Sequence, residues 1–359
     1  MTTTRQSLGG FIADLPIVST HEHHREGAWQ RDLDLDRLLL NSYVRGISPF
    51  RDGIADRDAF LEHVRANSFF VWLERAVQRI YGVERLTAES WDGISARIRA
   101  AHAADPDWHL TVMRRFGGYR RAVQDTYWRP GSDAGHPEFL SPALRINAFV
   151  LCHHPEMADH NGNSPWRLLD LAGRSFDEYL DLLDATLAAR KAAGLAALKS
   201  AIAYDRDLAF EPGTRDGAAR VFGRHPSEVS DAEHRAYQGF LFDHFCALAA
   251  KHDLPFQHHT GLGILAGSRP MNLLPMITRH PGTRFVLLHG GYPWVHEVAG
   301  LSLSHRNVFP DLTWLPLISP TAAIRAVREW LETTPGAHAI CWGGDAWTGE
   351  ESVSARRSP

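Results

Sequence analysis

Residues 19–27 read STHEHHREG, three histidines around Glu22 directly after the apolar run 15–18. On a β-strand, side chains i and i+2 share a face, so His21 and His23 at a strand end aim two imidazoles at one point. That is ligand spacing for a metal ion. The zinc-protease helix motif H-E-x-x-H is not met, because Arg25 stands where its second histidine belongs. A histidine cluster in a polar loop often does nothing, so the pair needs partners elsewhere in the chain. They occur in order: His258 and His259 end the run LPFQHH, His289 follows RFVLL, and Asp345 follows HAICW through Gly343 and Gly344. Singly, each is more often a core or loop residue. Together, imidazoles and a carboxylate suit borderline divalent ions such as zinc, manganese or iron.

Short apolar runs alternating with helical stretches must position these residues. Candidate strands are 16–20, 120–124, 145–151, 195–200, 254–259, 284–288, 307–311 and 338–342, with helices such as 175–193 and 230–251 between them. Eight βα units predict an α/β chain folded as one (β/α)8 TIM-type barrel over 1–359, with its site at the C-terminal strand ends. An open doubly wound sheet is the alternative. After strand 1, residues 28–116 read as a helical insertion, a lid or pocket wall. Phe69, Leu73, Val77 and Ile80 mark one face of a helix there, and Asp105-Pro106 reads as an N-cap with proline at N1. The chain ends fourteen residues after Asp345, which leaves little length for a helix after strand 8 and puts barrel closure there in question.

The order H-x-H, Lys199, His259, His289, Asp345 on strands 1, 4, 5, 6 and 8 resembles the amidohydrolase superfamily across nearly the whole chain. LPFQHHTGLG, LLHGGYPW, DLTWLPLISP and CWGGDAW resemble its amidohydrolase-2 branch, including the amidohydrolase domains fused to glutamine-synthetase-like domains in some fungal and plant proteins. The resemblance implies one or two divalent ions, zinc foremost and manganese or iron as alternatives. It makes His21, His23, His259, His289 and Asp345 ligands, and Asp345 also the proton acceptor. Lys199 in AGLAALKSAIAY is implied as a carboxylated bridge between two metals, against an ammonium that grips substrate or pairs with Asp345. His258, turned by strand alternation to the other face, is structural.

The implied reaction is hydrolysis of an amide or related C–N bond in a small molecule, with water activated by the metal and Asp345 as general base and acid. Non-oxidative decarboxylation of a small acid is the alternative within the fold. A non-catalytic metal-binding regulatory or scaffold domain is the alternative outside it. Tyr43, Arg45 and Trp314 are candidate substrate contacts; Phe69, Phe70 and Trp72 could join them, although aromatics at helical spacing are more often core. A γ-glutamyl amide is the substrate that the fused relatives imply.

Other classes find no support. The net charge of -4 offers no basic footprint for nucleic acid. The N-terminal stretch lacks an apolar secretory core, and no run approaches a membrane span, so the expected location is cytoplasmic. Cys152, Cys246 and Cys341 read as buried thiols. GLGILA (261–266) resembles a dinucleotide loop, but no acidic residue lies between Asp253 and Glu297 to hold a ribose. Neither G-x-x-x-x-G-K-[ST] nor G-x-S-x-G occurs. The partners left are a small-molecule substrate and a further copy of the chain.

Overall fold

The computed structural model describes residues 10–11 and 15–357. Seven strands, β1 (Ile17–Glu22), β2 (Tyr119–Gln124), β3 (Leu140–Arg145), β4 (Ala197–Ser200), β5 (Phe256–His259), β6 (Phe285–Leu288) and β7 (Val308–Pro310), pair in parallel in chain order. β4, β5 and β6 are buried at every position, as strands covered on both faces must be. Their outer faces meet long helices such as Phe176–Ala192 and Asp231–Lys251, each opened by a serine capping box. No helix among the described residues is long and apolar enough to cross a membrane.

The eighth position is filled by irregular chain rather than by a strand over 338–342. Cys341 N donates to Pro310 O at 2.9 Å and Leu312 N to Cys341 O at 3.0 Å, which tie the segment to β7. Thr20 N donates to Trp342 O, Asp345 N to His21 O and His23 N to Ala346 O, which tie it to β1. The sheet therefore closes into a barrel through residues 341–346. Gly343 permits that approach, because a Cβ there would sit 2.7 Å from His21 N and 2.5 Å from Thr313 Oγ1. Gly343→Ala is expected to cost about 1–3 kcal/mol, the usual range for overpacking against a backbone that cannot retreat. An unchanged denaturation midpoint would show that this seam yields.

Two other expectations change. The run 145–151 is not a strand: β3 ends at Arg145 and Asn147–Leu151 is a helix, since a short apolar run is equally compatible with either when wholly buried. A helix does follow Asp345, Gly349–Arg357, packed against helices Ser68–Tyr81 and Trp108–Gly117. Those two belong to the seven helices between β1 and β2, which enclose their own core around Leu38, Phe60, Phe70, Leu73 and Trp91. Asp105 closes the helix Trp91–Ala104 rather than capping the next, which begins at Trp108.

Candidate metal centre

His21 and His23 are oriented from behind. His21 Nδ1 lies 2.8 Å from Gln257 Oε1, whose amide Nε2 donates to Thr20 O at 2.6 Å. His23 Nδ1 lies 2.8 Å from the Asp125 carbonyl. Both partners are acceptors, so each Nδ1 carries the proton and each Nε2 presents a lone pair inward. Asp345 Oδ1 is 3.6 Å from His21 Nε2 and 3.1 Å from His23 Nε2. That oxygen is buried and, among the described residues, accepts no hydrogen bond, while Oδ2 receives the Tyr43 hydroxyl at 2.5 Å. Around a tetrahedral ion with bonds near 2.1 Å, ligand atoms sit about 3.4 Å apart, so these spacings fit a shared ion.

The second imidazole pair has the same character. His289 Nδ1 donates to Thr313 O at 3.0 Å, and His259 Nε2 donates to Leu262 O. Their remaining nitrogens, His289 Nε2 and His259 Nδ1, then face each other as lone pairs 2.8 Å apart. Burial disfavours the proton that would reconcile them: it lowers His289 to about 4 and, with His289 beside it, puts His259 well below its usual range. Acceptors that face acceptors in a buried site call for a cation. The donor set, neutral imidazoles plus a carboxylate, is the chemistry of a divalent one.

Asp345 is positioned by its neighbours. Its φ of +61° lies in the left-handed region, and Glu22, on the face of β1 opposite the two histidines, accepts Gly344 N at 3.1 Å and Ala346 N at 2.9 Å. Burial alone would raise its carboxyl; the imidazoles of His23, His289 and His21 hold it well below the ordinary carboxylate range. Lys199, buried on β4, has Nζ 3.0 Å from His21 Nε2, and among the described residues no ion pair joins it to a carboxylate. Burial lowers it from 10.5 to about 8.

Sequence reasoning missed Asp125 and Arg145. Asp125, one residue past β2, has a carboxylate oxygen 3.7 Å from His21 Nε2 and completes with His21 and His23 a set of ligand atoms within 4.8 Å of one another. Both its oxygens are engaged by Arg145, at 2.5 and 3.2 Å, and Arg145 holds it ionised against the cost of burial. Asp345 Oδ1, with no such partner, is the better ligand. Asp125 was visible as a carboxylate at the end of predicted strand 120–124; Arg145 was masked because it seemed to begin a strand that it ends.

A cavity of about 240 Å³ opens on the centre, lined by His23, Tyr127, Lys199, Tyr204, His259 and Asp345. Tyr43 borders it. Trp314 stands behind, stacked on Tyr43 at 4.6 Å and edge-on to His289 at 5.4 Å. Arg45 is not brought to the cavity: its side chain is exposed, with Nε bonded to Arg51 O, in an outer cleft that shares Tyr43 and Trp347. Phe70 is core, Phe69 stacks on Tyr43, and Trp72 lies under Arg75. His258 sits in the apolar outer layer between Phe256 and Phe285.

Residues 215–348 match the amidohydrolase family model. Protein fluG of Emericella nidulans is 29% identical over 372 aligned residues, 95% of this chain and 41% of that protein. The chain thus spans about two fifths of the length of the curated relative it matches. A Lactobacillus casei protein described as a metal-dependent hydrolase superposes with a TM-score of 0.69 at 18% identity, covering 98% of this chain and 87% of its own. Glucuronate isomerase from Caulobacter crescentus superposes with a TM-score of 0.68 at 18% identity, covering 96% and 82%. At such identity the two structures establish the fold.

Proposed function

We propose that the chain is a member of the amidohydrolase superfamily, the family whose model matches residues 215–348, and that it is a metal-dependent hydrolase of an amide or related C–N bond in a small molecule. The observation that carries the reading is the buried cluster of lone pairs turned on one another at the C-terminal end of the barrel, with Asp345 Oδ1 unpartnered among them. His21, His23 and Asp345 would hold the ion, with His259 and His289 completing the set and Lys199 at its edge. A divalent ion there would polarise a carbonyl and bring the pKa of water from 15.7 toward about 7.

The chain's own residues supply the rest. Asp345, whose carboxyl lies well below the ordinary carboxylate range, can take the proton of attacking water, and the Tyr43 hydroxyl fixes its other oxygen so that Oδ1 faces the reaction. Gln257 and the Asp125 carbonyl hold the two imidazoles in the tautomer that presents Nε2. Tyr127, Tyr204 and Trp347 wall a cavity that admits a small substrate. γ-Glutamyl amides are the substrates of choice for a first assay.

The test is metal content. Protein reconstituted with zinc is expected to retain the ion through gel filtration, and His21→Asn to weaken that affinity by about 10–100-fold or more, the range already seen when only a ligand's supporting contact is lost. A variant that holds zinc as tightly as the parent would remove His21 from the site and, with it, the reading built on β1.

A further inference from the structure

A second histidine–carboxylate pair borders the same cavity. The loop 152–164 after β3 and the turn 201–206 after β4 both lie at the C-terminal end of the barrel, and they place His160 against Asp205. His160 Nδ1 is 2.8 Å from Asp205 Oδ2, and His160 N donates to Asp205 Oδ1 at 3.1 Å. The carboxylate is itself anchored: Asn147 Nδ2 donates to Asp205 Oδ2 at 2.8 Å, and Asn147 Oδ1 accepts Ala201 N at 2.8 Å. Asp205 accepts only, so Nδ1 carries a ring proton, and Nε2 stands 2.8 Å from the Asn161 carboxamide. His160 and Asn161 line the cavity that contains Asp345. The Tyr204 ring lies between the two centres, 5.4 Å from the His160 ring and 4.4 Å from that of His259.

We propose that His160, oriented by Asp205, is the general acid that delivers a proton to the leaving nitrogen. The proposal rests on the hydrolase reading above, keeps Asp345 as the base and moves the second of the two proton transfers from Asp345 to His160. As water oxygen bonds to the carbonyl carbon, its proton passes to Asp345. The C–N bond then breaks, its electron pair goes to nitrogen, and nitrogen takes the Nε2 proton of the His160 imidazolium. The product acid and Asp345 release one proton each to solvent, from which one returns to His160 and one goes to the free amine, so that amide and water yield carboxylate and ammonium. His160 is suited to the recharging step because its side chain is 30% exposed while Asp205 is 12% exposed. A carboxylate behind an imidazole fixes tautomer and ring direction for this kind of transfer. The alternative, that the pair merely pins the two loops together, predicts a loss independent of the leaving group.

Leaving-group dependence separates the two. Ethylamine must be protonated to depart, whereas 4-nitroaniline is weakly basic and departs with little help. Zinc-loaded parent and His160→Gln are to be compared on γ-glutamyl ethylamide and γ-glutamyl 4-nitroanilide, with zinc content measured for both proteins. The expected result is a fall in kcat on the order of 10²-fold on the ethylamide and less than about tenfold on the anilide, with zinc content unchanged. Asp205→Asn should lower the same ratio in the same direction. Equal losses on both amides, or none, would overturn the acid role while leaving the hydrolase reading intact. A parent that cleaves the anilide and not the ethylamide overturns it too. A parent with zinc bound and no action on either amide counts against hydrolysis itself, and the acid role falls with it.

Discussion

Asp345→Asn is expected to lower turnover on the order of 10²-fold or more while most of the bound metal stays. The substitution is nearly isosteric. The carboxamide keeps an oxygen for an ion, but it cannot accept the water proton. Asp345 is set up for that transfer: burial alone favours the neutral acid, yet beside His23, His289 and His21 its carboxyl lies well below the ordinary range. Tyr43 donates to Oδ2 and Glu22 clamps the amides on either side, so the residue has few other positions to adopt. With metal, cavity and Tyr43 unchanged, KM should move little. The check is kcat and zinc content on the same preparation. Near-parental kcat with full zinc would remove Asp345 as the base, and loss of zinc in step with rate would make it chiefly a ligand.

How much of this was legible depended on whether a residue's role is set by local spacing or by tertiary approach. The βα alternation and the H-x-H pair were readable because the strand repeat of two is local and because buried parallel strands leave apolar runs. β1 continues through Glu22, so the motif sits where spacing placed it. The eighth position was less legible. Residues 341–346 are held by β1 and β7 through backbone bonds that no side-chain pattern records, and Gly343 is there for the approach of His21 rather than for exposure. Arg145 and Asn147 were hidden by an apolar run that reads equally as strand or helix. Asp205 and His160 are 45 residues apart and meet only because consecutive loops share one end of a barrel. Arg45, offered as a substrate contact beside Tyr43, lies inside the short helix that Tyr43 precedes and lines the outer cleft instead.

Lys199→Ala is expected to reduce turnover on the order of 10²–10³-fold, and the metal count will say why. Nζ is buried and bonded to His21 Nε2, and among the described residues no ion pair joins it to a carboxylate, so an ammonium there is poorly compensated. Burial accordingly lowers its pKa to about 8. The sign follows: at pH 7 the fold holds roughly 300-fold more neutral amine than an ordinary lysine would, and the neutral fraction rises as pH climbs through about 8. Only the neutral amine combines with carbon dioxide, forming an N–C bond and releasing one proton to give a carbamate. If the carbamate is the working form, parent protein reconstituted with bicarbonate should take up a second zinc, increasingly as pH is raised from 7 to 9, and Lys199→Ala should stop at one. If the free amine works instead, by donating to substrate, both proteins bind one zinc at every pH and bicarbonate changes nothing. Full parental turnover in Lys199→Ala would exclude both roles and leave Lys199 as a supporting contact of His21.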